Sequence, residues 1–153
     1  MAQRSKKDYI VATALPLFLE NGFKGTSIDM VVKACAVSKP TVYNHFPDKS
    51  ALMLAVMKCW IERHKPLILS IRNLDELDRF ISEHWLTEQA IRLYAIVIGE
   101  GWRFPEARKL FWEQYDHLWR VAFGYVSEHS PNLERVDIER RLDRRLLNSL
   151  QSH

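Results

Sequence analysis

The chain of 153 residues has little of what a secreted or membrane protein needs. Its only cysteines, Cys35 and Cys59, form neither a metal-ligand spacing nor a disulfide framework. No apolar run reaches the roughly 18 residues of a membrane span. The N-terminal MAQRSKKDY is not followed by the apolar core and cleavage site of a signal peptide. We therefore expect a protein of the reducing cytoplasm.

Signatures of catalysis are missing as well. His84, His117 and His129 lack the spacing of metal ligands, neither cysteine has a histidine near it in sequence, and no glycine-rich loop suited to phosphate is present. We predict that the chain is not an enzyme and carries no metal and no cofactor. With 47% hydrophobic and 27% charged residues, the composition is that of an ordinary folded globule.

Positive charge is concentrated in the first third of the chain. Residues 1–50 hold seven Lys or Arg against four Asp or Glu, whereas residues 51–153 hold fifteen of each kind. This asymmetry is typical of a protein that binds a polyanion with one end. A solvated cluster of lysines has the same appearance, so the charge alone leaves both interpretations open.

The pattern of apolar residues and helix stops predicts an all-α protein. No stretch shows the strict apolar–polar alternation of a strand. We expect a first helix over residues 6–21, although Pro16 inside it is unfavourable for a helix. A second helix of two turns is expected after an N-cap at Thr26. A third helix begins after Ser38, and a fourth spans about 49–65. Four further helices are expected at about 74–88, 89–103, 105–128 and 133–150.

Residues 26–49 have the build of a helix-turn-helix, in which a short helix and a turn precede a second short helix that enters the DNA major groove. In that second helix, Val42 and Phe46 are four residues apart and are expected to face inward. The polar residues Thr41, Asn44 and His45 lie on the opposite face and can reach base edges and phosphates. Free N–H groups at the two helix starts can hold further phosphates, together with the side chains there: Thr26, Ser27, Ser38 and Lys39.

At these residues the sequence resembles the TetR family of repressors. The resemblance rests on the segments ENGF at 20–23, Thr26-Ser27, AVSKPTVY at 36–43 and NHF at 44–46, followed by Lys49 and Leu52. It implies an N-terminal DNA-binding domain over residues 5–65, with the helix-turn-helix at about 27–46. Ala36 stands where the family usually has glycine, so the turn is strained if that position needs a positive φ. Pro16 is also unusual for the family.

The resemblance also implies individual roles at these positions. It makes Thr26, Ser38, Lys39, Tyr43, His45 and Lys49 phosphate contacts, and it makes Pro40, Thr41 and Asn44 the readers of bases. The partner that follows is double-stranded DNA, within a cytoplasm where the protein associates with the bacterial nucleoid.

For residues 66–153 the resemblance implies a helical domain that binds a small effector and dimerises, and this domain is either complete or shortened. The region is rich in aromatic residues that can line a pocket for a flat or apolar effector. They can equally form the core and the dimer interface. The candidates for the pocket are Trp60, Trp85, Tyr94, Trp102, Phe111, Tyr115 and Trp119.

The expected function is that of a ligand-responsive repressor that binds a palindromic operator as a homodimer. The family's dimer interface uses two C-terminal helices from each subunit, yet only one clear candidate follows Ser130-Pro131. The interface therefore uses the helix at 105–128 together with the last one, or the second domain is weakened. The alternative function is a constitutive DNA binder, or a helical adaptor, with no effector response.

Overall fold

The computed structural model describes residues 4–67 and 70–152, and within these ranges the chain is helical and has no strand. This confirms the predicted all-α class. The α-helices of the described ranges are α1 (Lys6–Asn21), α2 (Ile28–Cys35), α3 (Lys39–His45), α4 (Lys49–Arg63), α5 (Leu74–Phe80), α6 (Glu88–Glu100), α7 (Pro105–Phe111), α8 (His117–His129) and α9 (Arg135–Gln151). None of them combines the length and the apolar character that crossing a bilayer needs.

Helix α1 has the predicted bounds because both of its ends carry strong signals. The Ser5 side chain accepts a hydrogen bond from the Asp8 backbone N–H, and Gly22 ends the helix with its N–H bonded to the Phe18 carbonyl. Pro16 lies inside α1 without ending it. One face of the helix is buried and includes Ile10, Ala14 and Phe18.

The start of α2 differs from the prediction by one residue. Ser27, not Thr26, is the N-cap, and its hydroxyl accepts from the Met30 backbone N–H at 3.1 Å. The return bond of this capping box runs from the Ser27 N–H to the Met30 sulfur at 3.4 Å, so the carboxylate of Asp29 takes no part in it. Both Thr26 and Ser27 are good cap residues, and sequence alone does not separate them.

Beyond residue 73 the predicted helices exist but are interrupted. Two short π-helical segments, Ile81–Trp85 and Trp112–Asp116, follow α5 and α7, and a 3₁₀ turn over Gly101–Arg103 follows α6. A π segment widens the hydrogen-bonded ring by one residue, which shifts the faces of the helix without interrupting its helical course. The apolar spacing therefore predicted a continuous helix over 105–128 where the structure has α7, a π segment and α8.

The chain forms two compact units whose boundary differs from the one predicted at residue 65. The first unit runs as far as Trp60 and also includes Ile96–Leu110, and the second comprises Ile61–Ala95 and the chain from Phe111 onward. The segment Ile96–Leu110 was expected in the C-terminal domain. It packs instead with α1 to α4, which come far earlier in the sequence.

A closed circuit of aromatic rings fills the core of the second unit. Each ring contacts the next, with centroids 4.8 to 6.4 Å apart. Such edge-on and tilted contacts add to the free energy gained by burying the rings. In order around the circuit, the residues are Trp85, Tyr94, Phe111, Tyr115, Trp119 and Phe123.

The polar atoms of this circuit are hydrogen-bonded. The Trp85 indole N–H donates to the Tyr94 hydroxyl at 3.0 Å, which in turn donates to the Asp116 carboxylate at 2.7 Å. The Tyr115 hydroxyl donates to the Trp85 carbonyl, and the Trp119 indole N–H donates to the His64 carbonyl. Burial, followed by the neighbouring Asp116 charge, raises the pKa of both tyrosines well above the ordinary value. Both hydroxyls therefore stay protonated as donors.

Two tryptophans in contrasting environments give a test of this core. Trp119 is 1% exposed, whereas Trp102 is 64% exposed. We expect Trp119→Ala to lower the free energy of unfolding by about 3–5 kcal/mol because it removes buried contacts and leaves a cavity. Trp102→Ala should change it by no more than about 0.5 kcal/mol. Urea unfolding followed by circular dichroism at one protein concentration measures both, and equal losses would contradict the assignment of Trp119 to the core.

Candidate nucleic-acid interface

Helices α2 and α3 form the predicted helix-turn-helix in the first unit. The turn between them includes Ala36, which has φ 54° and ψ 35° and so lies in the left-handed region. Ala36 therefore has the positive φ on which the predicted strain depends. Its Cβ makes this conformation sterically unfavourable, whereas glycine would adopt it without steric cost. Ser38 is the N-cap of α3, as predicted, and its hydroxyl accepts from the Thr41 N–H at 3.2 Å.

Helix α3 has the two faces that its sequence predicted. Val42 and Phe46 are buried, while Tyr43, Asn44 and His45 are exposed. Pro40 is exposed in the first turn, where its missing N–H leaves no helical hydrogen bond unmade. Thr41 is half-buried, and its hydroxyl lies 2.6 Å from that of Ser38. The exposed side chains beyond this pair are free to meet a ligand surface.

A shallow groove of about 370 Å³ lies beside α3. Four of the predicted DNA-contact residues line it, together with two carboxylates. The groove is lined by Ser27, Ile28, Asp29, Lys39, Tyr43, Pro47, Asp48 and Lys49. Hydroxyl, phenol and ammonium groups are donors suited to phosphate oxygens, and the carboxylates are not.

Thr26 is placed differently from its predicted role at a phosphate. Its side chain is fully buried, and its hydroxyl is within hydrogen-bond distance of the carbonyls of Leu17 at 3.0 Å and Gly22 at 2.8 Å. The hydroxyl therefore holds the end of α1 to the start of α2 and offers no exposed atom to DNA. Ser27, beside it, is exposed.

The two lysines of the groove already have partners. The Lys49 ammonium donates to the Phe23 carbonyl at 2.7 Å and lies 4.3 Å from the centre of the Phe23 ring. Burial lowers the pKa of Lys49. The Lys39 ammonium is 2.9 Å from the Asp29 carboxylate, and the hydrogen bond to Asp29 raises the pKa of Lys39. A phosphate contact by either lysine thus involves a change of partner.

Glu100 contacts this region, although the sequence analysis did not predict any role for it there. Its two carboxylate oxygens accept hydrogen bonds from the backbone N–H groups of Phe23 and Lys24, each at 2.8 Å. Phe104 packs on the Phe23 ring with centroids 4.8 Å apart. These contacts hold the turn between α1 and α2 to the segment Ile96–Leu110. No local pattern predicts a partner 76 residues away, so sequence reasoning had no signal for it.

The predicted effector-pocket residues fall into three environments. Trp85, Tyr94, Phe111, Tyr115 and Trp119 pack against one another in the aromatic circuit of the second unit. Trp60 is buried at the end of the first unit.

Trp102, in contrast, is exposed, and the Arg103 guanidinium lies 4.2 Å from the centre of its ring. Trp102 is therefore the exposed one of the seven candidates, and the other six are buried.

No group of three or more metal-ligating side chains occurs among the residues that the structure describes. The arrangement of α2, the turn at Ala36 and α3 is that of a helix-turn-helix. Comparison with known proteins shows what this part of the chain is similar to. Residues 10–56 match the model for bacterial regulatory proteins of the tetR family. That match spans the helix-turn-helix and the first half of α4, so this part of the chain is TetR-like.

Two curated regulators are similar to part of the chain. The uncharacterized HTH-type transcriptional regulator YuxN of Bacillus subtilis is 32% identical over 84 residues, which are 55% of this chain and 29% of YuxN. IcaR of Staphylococcus aureus, the negative transcriptional regulator of the biofilm operon icaADBC, is 30% identical over 95 residues. That match covers 58% of this chain and 51% of IcaR. The chain thus spans about half of the length of IcaR and less than a third of that of YuxN.

A solved structure extends the similarity of fold to almost the whole chain. Salmonella enterica GusR superposes with a TM-score of 0.65 at 25% identity, over 95% of this chain and 80% of GusR. The helical region after the helix-turn-helix therefore also shares the fold of GusR.

Ala36 and Gly22 give opposite predictions for the backbone of this domain. Ala36→Gly should raise the free energy of unfolding by about 0.5–1 kcal/mol, because relief of the left-handed strain outweighs the added entropy of the unfolded chain. Gly22 has φ 74° and ψ −176°, and a Cβ there would lie 2.8 Å from a Glu100 oxygen. Gly22→Ala should therefore lower the free energy by about 1–3 kcal/mol.

Gly99→Ala is the matched control, because a Cβ at this helical position meets nothing within 4 Å. It should raise the free energy of unfolding by about 0.5–1 kcal/mol. Chemical unfolding of the three variants measures the set. If Gly22→Ala were as stable as Gly99→Ala, the close approach of Glu100 to the turn would be refuted.

Proposed function

We propose that the chain is a sequence-specific DNA-binding repressor of transcription that reads DNA with α3. The observation that carries this proposal is the exposed polar face of α3, which stands on a helix whose other face is buried. A helix held in this way can enter a major groove with its N-terminal residues against base edges. The similarity to IcaR, a negative regulator, supports repression as the outcome.

The residues divide into those that read bases and those that position the protein. Asn44 has the amide that can bond bidentately to adenine, and Thr41 and Pro40 precede it in the first turn and a half of α3. Ser27, Ser38, Lys39, Tyr43, His45 and Lys49 supply donors for phosphates, which fix the register without carrying sequence information. The exposure of Tyr43, Asn44 and His45 supports this division, and the burial of Thr26 removes its side chain from the phosphate set.

Selection of bound sequences from a random duplex pool tests the function, and Asn44 tests the division. We expect one duplex sequence to be enriched. Asn44→Ala should reduce the preference for that duplex over random DNA by about 1–3 kcal/mol, because a base contact is lost. His45→Ala, as the matched phosphate variant, should weaken binding to both duplexes by the same factor. No enrichment by the unaltered protein would contradict sequence-specific binding.

Homodimerisation is the second part of the proposal, and the face shared by α8 and α9 supports it. Val121 and Tyr125 are 54% and 56% exposed on α8, and a Cβ at Gly124 between them would meet nothing within 4 Å. These residues lie along a groove of about 570 Å³ whose other wall is α9, with Ile138 and Leu142. An exposed apolar stripe on a helix favours a partner helix. A homodimer would supply one α3 for each half-site of a palindromic operator, and such half-sites lie about 34–36 Å apart.

The dimer proposal predicts that a charge on this stripe separates the copies. Val121→Glu should increase the dimer dissociation constant at least tenfold, because the carboxylate loses water without gaining a partner. Ile98→Glu is the matched control, since Ile98 is similarly exposed at 57% but lies on α6. Sedimentation equilibrium measures both variants. Unchanged association of Val121→Glu would exclude this face as the interface.

The effector response stays a prediction, and the packing of the aromatic circuit favours the constitutive alternative. An effector among Trp85, Tyr94, Phe111, Tyr115 and Trp119 needs the rings to part and the hydrogen bonds of Tyr94 and Tyr115 to break. A constitutive DNA binder needs no such opening. Operator affinity measured against a panel of flat aromatic compounds separates the two functions. A compound that lowers the affinity would support the effector-responsive repressor.

A further inference from the structure

The ion pair between Asp29 and Lys39 lies within the proposed DNA-binding surface. Asp29 is in the first turn of α2, Lys39 is the first residue of α3, and the two charged groups are 2.9 Å apart. Both side chains are exposed, Lys39 by 52% and Asp29 by 75%. Both also line the groove beside α3 together with Ser27, Tyr43 and Lys49.

Stability does not account for this pair. Ion pairs between exposed side chains contribute little to folding, because water and salt screen them and two long side chains must be held still. Ser27 and Ser38 already cap α2 and α3 through their own hydroxyls. Neither helix therefore depends on Asp29 for its start.

The ion pair affects DNA binding. The Lys39 ammonium can bind a phosphate only if its contact with Asp29 is weakened or broken. The carboxylate also places a negative charge where the polyanion approaches. The other acid and the other lysine of the groove are differently engaged. Asp48 caps α4 by accepting from the Ala51 N–H at 2.7 Å, and the Lys49 ammonium donates to the Phe23 carbonyl.

We propose that Asp29 competes with DNA backbone phosphate for the Lys39 ammonium and thereby lowers the affinity of the protein for all DNA sequences alike. The inference rests on the proposed function, since it assigns Asp29 a role in the same DNA surface. A phosphate contact carries no sequence information, so weakening it lowers operator and random binding together. The protein then leaves random DNA sooner while its preference for the operator is unchanged.

The test compares Asp29→Asn with a control in the presence and absence of the lysine. Glu20→Gln removes one negative charge from an exposed side chain of the same unit. Lys39→Gln and the double variant Asp29→Asn/Lys39→Gln complete a cycle that isolates the pair. Fluorescence anisotropy measures the Kd for a random-sequence duplex and for the selected duplex between 50 and 200 mM NaCl.

Asp29→Asn should tighten binding to both duplexes by the same factor, about three- to tenfold at 50 mM NaCl. The slope of log K against log salt should steepen by up to about 0.9, the value of one phosphate contact, so the gain shrinks about three- to fourfold by 200 mM. Glu20→Gln should have a smaller effect. In the Lys39→Gln background, Asp29→Asn should have no larger effect than Glu20→Gln.

The proposal is overturned if Asp29→Asn binds no more tightly than Glu20→Gln, or if its gain persists without Lys39. A change in the ratio of the two Kd values would also contradict it, because it would mean that Asp29 acts on base reading. Thermal unfolding of each variant checks that the fold is retained. If the unaltered protein bound neither duplex, the proposed function itself would fail, which is distinct from binding that Asp29→Asn leaves unchanged.

Discussion

The helix-turn-helix of the first unit depends on a carboxylate that comes from far along the chain. Glu100 accepts the N–H groups of Phe23 and Lys24, which follow the end of α1 and have no partner within that helix. Bonds of backbone N–H groups to a carboxylate are stronger than those to a neutral acceptor. The same turn includes Gly22, whose lack of a Cβ lets Glu100 approach, and Phe23, whose carbonyl binds Lys49. The orientation of α2 and α3 on α1 and α4 thus rests partly on Ile96–Leu110.

Much of the fold and of the helix-turn-helix could be predicted because the signals there are local. Ser38 and Gly22 mark helix ends, Val42 and Phe46 mark a buried face, and the observed bounds and burial agree. The prediction was wrong at the Thr26 cap, where two adjacent hydroxyl residues compete and the fully buried one is not the cap. The preference of a residue type for N-cap positions does not show which of the two hydroxyl groups is buried in the tertiary structure.

What the sequence could not predict depends on distant contacts. The aromatic residues after residue 80 have the same composition whether they line a pocket or fill a core, and only their mutual packing distinguishes the two. The π segments shift the helical register by one residue, and a shift this small cannot be detected in the spacing of apolar residues. The engagement of Lys39 with Asp29 and of Lys49 with Phe23 likewise arises only when the helices are assembled.

The central claim is that α3 and the groove beside it are the surface that meets DNA. Hydrogen exchange of the backbone amides, measured with and without the selected duplex, tests this most directly. The account predicts slowed exchange across residues 27–49. A second groove is also basic, because four arginines of α9 line it together with Asp78 and Asp137: Arg140, Arg141, Arg144 and Arg145. Exchange there should be unaffected by the duplex. Protection of that arginine groove, with residues 27–49 unaltered, would contradict the account.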